Sequence, residues 1–141
     1  MKFNKLVPEL NVSNIQASLD FYVKILKFKI EYQRSESKFA FLSYQGSQIM
    51  INQTPNSITS PWYIGKLTYP RGKGIHFQFE VKSIQPLIKN LKAIKYPLKA
   101  PPKEYWFRQD NSLLGMNGFL VMDPDGYLLM FNEDLGAKPL A

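Results

Sequence analysis

One histidine, His76, and no cysteine among 141 residues leave this chain few groups for metal or nucleophilic chemistry. Without cysteine there are no disulfides, no thiolate nucleophile and no cysteine-based zinc site. A single imidazole excludes every metal centre that takes two histidines from one chain, the two-histidine, one-carboxylate iron site included, unless a second subunit lends one. Proton chemistry then falls to His76 and to carboxylates such as Glu9, and burial in a cleft is what brings a carboxylate in general towards the range a general base needs. No nucleophile stands in the sequence with an adjacent base and an orienting group, so no catalytic residue is assigned.

Alternation along a strand puts Val7, Glu9 and Asn11 on one face, and His76, Gln78 and Glu80 on another. A few polar groups converging in an apolar lining is the usual make-up of a small-molecule site. Equally, these groups can satisfy one another and touch no ligand. Phe39 and Phe41, two apart, share a strand face and suit either core or cleft. Trp62 and Trp106 lie in or near irregular segments, Trp62-Tyr63 and Tyr105-Trp106-Phe107, and large flat side chains there can stack on a planar ligand.

The elements that would position these residues come from a duplication. Val12-Ser-Asn-Ile-Gln16 falls on Val81-Lys-Ser-Ile-Gln85 at a shift of 81 − 12 = 69 residues, each preceded by a strand-like stretch and followed by a helical apolar stripe. Ile15, Leu19, Tyr22, Val23 and Leu26 form the first stripe, with Ser13 and Gln16 spaced as a capping box. Ile84, Leu87, Ile88 and Leu91 form the second, with Ser83 as N-cap and Pro86 in the first turn. Strands are expected over residues 28–33, 38–44 and 48–52 in the first half, and over 96–100, 103–108, 117–122 and 127–132 in the second. Asp123-Pro-Asp-Gly126 is a turn joining the last two.

Composition agrees with one soluble globular domain: hydrophobic residues are 45% and charged residues 21%. No apolar run reaches the roughly 18 residues of a membrane span, and MKFNKLVPEL lacks a secretory apolar stretch, so a cytoplasmic protein without a membrane partner is expected. The net charge, 18 − 11 = +7, favours anionic partners at long range. Nucleic-acid binding is the weakest reading, because Lys24, Lys27, Lys29 and Lys89, Lys92, Lys95 are spaced like solvated helix faces.

Leu6-Val-Pro-Glu-Leu-Asn-Val12 followed by Ser18-Leu-Asp-Phe-Tyr22, then Gly74-Ile-His-Phe-Gln-Phe-Glu-Val81, then Phe119 to Phe131 resembles the bleomycin-resistance and glyoxalase superfamily of vicinal oxygen chelate proteins. The resemblance implies an α+β fold of two βαβββ modules with curled half-barrel sheets: module one at about 4–53, a linker at about 54–73 and module two at about 74–135, in one domain over 1–141. It also implies a homodimer with ligand clefts at its interface. Relatives that hold a metal would place ligands at the positions of Val7, Met50, His76 and Met130, of which only His76 carries a donor suited to zinc, nickel or manganese.

The expectation is therefore a protein without metal or cofactor that sequesters an extended aromatic ligand or drug, in the manner of bleomycin-resistance proteins. Its binding residues are Val7, Glu9, Phe39, Phe41, Met50, Asn52, Trp62, His76, Gln78, Trp106 and Met130. The alternative is an enzyme of the same superfamily using His76 or Glu9 as general base. Bleomycin itself is cationic, and a charge of +7 opposes its approach, within screening limits of about 8–10 Å.

Overall fold

Leu10 and Val12 are buried while Glu9 is exposed, and this period of two makes the short strand β1 (Glu9–Asn11). The computed structural model describes residues 1–140. Two compact units emerge, the first holding Met1–Gly74 with Asp123–Tyr127, the second Ile75–Met122 with the chain from Leu128 onward.

In the first unit, helix α1 (Ile15–Leu19) follows β1 and widens into a π-helical stretch over Asp20–Ile25. The Leu26 amide reaches back five residues to the Phe21 carbonyl at 3.0 Å. That widening changes the buried stripe. Ser18, Phe21, Tyr22 and Leu26 are buried, whereas Ile15, Leu19 and Val23 of the expected stripe are only half-buried. The cap also differs from the expected box, since Asn14 Oδ1 accepts from the Ala17 amide at 3.0 Å while the Gln16 side chain bonds Asp20. Asn14→Ala is accordingly expected to cost about 1 kcal/mol in urea unfolding. Ser13→Ala is expected to cost nothing measurable, and the reverse order would restore Ser13 as the cap.

Strands β2 (Lys29–Arg34), β3 (Phe39–Tyr44) and β4 (Ser47–Asn52) complete a sheet of order β1-β4-β3-β2, with β1 parallel to β4 and the rest antiparallel. Leu10, Val12, Ala40, Leu42, Ile49 and Ile51 form its buried face.

The second unit repeats the plan. Strand β5 (His76–Glu80), helix α2 (Gln85–Ala93), β6 (Ala100–Gln109), β7 (Ser112–Met122) and β8 (Leu128–Pro139) give a sheet of order β5-β8-β7-β6. Its core stacks Phe131 on Phe79 and Phe119 at 4.9 and 5.6 Å, with Leu87, Ile88 and Leu91 of α2 buried. The N-cap of α2 is Ile84 rather than the expected Ser83; the Ser83 Oγ accepts from the Gln85 amide at 3.3 Å, and Glu133 takes the Ile84 amide at 2.7 Å. Residues 96–99, expected as strand, are not strand, although the Lys99 amide donates to the Leu120 carbonyl at 2.8 Å. Lys95 adopts a left-handed φ of 57°, Pro97 has no amide to give, and the Tyr96 hydroxyl donates to the Met122 carbonyl. Conversely, β6 to β8 run further than expected, because Asp110 at a φ of 51° closes a tight hairpin between Gln109 and Ser112.

The curled, open sheets, each with a helix after its first strand, are the α+β arrangement of two βαβββ modules. Asp123-Pro-Asp-Gly126 turns β7 into β8 as expected, yet it packs with the first unit. Asp123 Oδ1 accepts from the Asp125 and Tyr127 amides, and its Oδ2 takes the Tyr22 hydroxyl at 2.7 Å.

Candidate functional site

Register fixes which side chains share the face of the first sheet turned away from its helix. Glu9, Met50, Phe41 and Tyr32 form one cross-strand row, and Asn11, Asn52, Phe39 and Arg34 the next. Val7, two residues before Glu9, is half-buried. The rows grade from polar to aromatic. At the polar end Asn52 Nδ2 donates to Glu9 at 2.8 Å, and its Oδ1 accepts from Asn11 at 3.3 Å and from the Thr54 hydroxyl at 2.6 Å.

At the aromatic end Tyr32 stacks on Phe41 with centroids 5.4 Å apart, and the Arg34 guanidinium sits 4.0 Å over the Phe39 ring. Phe3 stands edge-on to Phe41 at 5.3 Å. With these neighbours Phe39 and Phe41 are buried, so each already has aromatic or cationic contacts. Trp62 belongs to neither row. It lies in the irregular chain between β4 and β5, 85% exposed.

On the second sheet, His76, Gln78 and Glu80 pair with Leu128, Met130 and Asn132, which pair in turn with Met122, Leu120 and Gly118. Gln78 Nε2 lies 3.2 Å from His76 Nε2 and 3.7 Å from the Met130 sulfur. Met130 lies against Gly118, where an added Cβ would meet its methyl at 2.9 Å.

Trp106 does not share this face. It pairs with Gly115, whose parity along β7 is that of Phe119 on the helix side of the sheet. Its indole covers Gly115, donates to Glu104 at 3.2 Å and lies beneath the Lys138 ammonium at 3.9 Å. Tyr105 and Phe107, stacked at 6.0 Å, hold the His76 side instead. The sequence named the triplet, but only the continuous 105–116 ladder reveals which members face which way.

The residue types at Val7, Met50, His76 and Met130, an alkyl group, two thioethers and a single imidazole, do not make a donor set for a divalent cation, and among the described residues no three His, Cys, Asp or Glu side chains come together.

Residues 2–131 match the model of the glyoxalase/bleomycin resistance protein/dioxygenase superfamily, and the chain belongs to it. Among solved structures, one from the mobile metagenome of V. Pseudocholerae is 18% identical with a TM-score of 0.65, over 94% of this chain and 96% of that one. A glyoxalase/bleomycin resistance protein/dioxygenase from Alicyclobacillus acidocaldarius is 20% identical with a TM-score of 0.62, over 94% and 92%. A virulence protein from Salmonella typhimurium is 16% identical with a TM-score of 0.62, over 94% and 98%. At these identities the likeness is one of fold. No curated protein matches the sequence. No helix among the described residues is long and apolar enough to cross a membrane.

Proposed function

We propose that the chain binds and sequesters an extended aromatic small molecule on its exposed sheet faces, without a metal ion. The observation that carries this reading is the second sheet's open face. Leu120, Met122 and Leu128 are half-buried, Phe107 is exposed, and His76 and Gln78 stand at one edge. A surface of thioethers, alkyl groups and rings cannot polarise a substrate oxygen, so affinity comes from burial and stacking. About 100 Å² of apolar ligand area gives about 2.5 kcal/mol before association costs, which makes a single ring too small. His76 and Gln78 then orient the ligand.

The proposal includes a homodimer, with Phe107, Leu114 and Leu135, all exposed in the single chain, as apolar surface for a second copy. A titration with 8-anilinonaphthalene-1-sulfonate, an extended aromatic probe, tests the ligand reading. Tyr105→Ala and Phe107→Ala are expected to weaken binding by up to about tenfold each, and Trp106→Phe to leave it unchanged. Binding that depends on Trp106 and ignores Tyr105 and Phe107 would place the ligand on the opposite face.

A further inference from the structure

Beyond the sheet rows, a cavity of ≈ 620 Å³ opens in the first unit beside the ends of β1 and β4. Arg71 lines it with a side chain only 18% exposed, which is unusual for a guanidinium unless it is held. It is held firmly. Nη1 donates to the Asn11 side-chain oxygen at 2.6 Å and to the Asn11 carbonyl at 3.3 Å, while Nε lies 3.8 Å from the Asp125 carboxylate. Asn11 is itself fixed by bonds to Asn52 and to Thr54. Asp125 is fixed by the Ser13 amide at 3.0 Å.

This leaves Nη2, the remaining donor of the fork, without a protein partner among the described residues. A guanidinium held at Nη1, with Asp125 beside Nε and with Nη2 open, is pre-organised to donate from Nη2 to a carboxylate oxygen. The Asp125 contact, at 3.8 Å, is longer than a hydrogen bond.

The other charged groups on the wall are Lys38 and Glu36, neither in an ion pair among the described residues. Lys38 supplies a second cation, and the cavity has the size of a small-molecule site. We propose that this cavity binds a small carboxylate-bearing molecule, with a carboxylate oxygen on the open Nη2 of Arg71 and Lys38 as a second positive charge. The inference uses first-unit residues alone and stands or falls apart from the aromatic ligand proposed above.

Calorimetric titration of the intact protein with succinate, citrate and inorganic phosphate tests it. Saturable binding of at least one carboxylate is expected, tighter than phosphate. Arg71→Lys, which keeps the charge and loses the fork, is expected to weaken it by about tenfold. The exposed Lys38→Gln variant, which leaves the anchoring network intact, is expected to weaken it by about threefold, and Glu36→Gln to tighten it by a similar factor. No saturable heat with either carboxylate, phosphate binding tighter than both, or affinity unchanged in Arg71→Lys and Lys38→Gln together would overturn the assignment.

Discussion

Gly126→Ala is expected to destabilise the protein by about 3 kcal/mol, the sum of a backbone cost and a steric one. Gly126 has a φ of +83°, where an L side chain is strained, and a Cβ there would stand 2.5 Å from Pro70 Cβ and 2.6 Å from Pro70 Cα. Neither atom belongs to a flexible side chain, so the turn or the 69–72 segment must shift. Gly46 provides the control. Its φ is +88° but nothing lies within 4 Å of an added Cβ, so Gly46→Ala is expected to cost only about 1 kcal/mol. Urea unfolding of both variants measures the difference; equal losses would mean that the Asp123–Gly126 turn is not clamped against Pro70.

Tyr22→Phe is expected to cost about 1–3 kcal/mol, and more at neutral than at acid pH. Tyr22 is fully buried, and its hydroxyl donates to Asp123 at 2.7 Å. Burial pushes the Asp123 carboxyl above its usual value, against the pull of the Tyr127 amide, the Tyr22 hydroxyl and the Asp125 amide. A carboxyl raised in the folded state binds its proton more tightly there than in the unfolded chain. Its contribution is therefore full below the unfolded value and declines as pH rises through the folded one. Removing the Tyr22 hydroxyl takes away one group that supports the charged form and raises the carboxyl further. The difference in unfolding free energy between wild type and variant should then be larger near pH 7 than near pH 4. A loss that is the same at both, or larger in acid, would show that the bond stabilises the protonated carboxyl instead.

The module plan was legible because its signals are local and occur twice: the 69-residue repeat, the turn residues and the helical stripe of Ile84, Leu87, Ile88 and Leu91, all four buried. The first helix was misread at its face, because a π-helical stretch shifts the buried positions and brings in Phe21, which a period of 3.6 leaves out. Parity within a strand was legible for Glu9 with Asn11 and for His76 with Gln78, since alternation needs no partner strand. Trp106 was not, because its face depends on a ten-residue strand whose prolines at 101 and 102 hid its continuity. Arg71 was missed altogether. Its importance comes from Asn11 and Asp125, 60 and 54 positions away, and nothing in the surrounding glycines and prolines announces a buried guanidinium.

The proposed metal-independent binding is checked by titrating the aromatic probe into protein stripped with a chelator, then into protein supplied with zinc or manganese. The same affinity is expected in both, with no tightly held divalent ion found by elemental analysis. Binding that appears only with the ion, or about one ion per chain that is lost in His76→Ala, would contradict it.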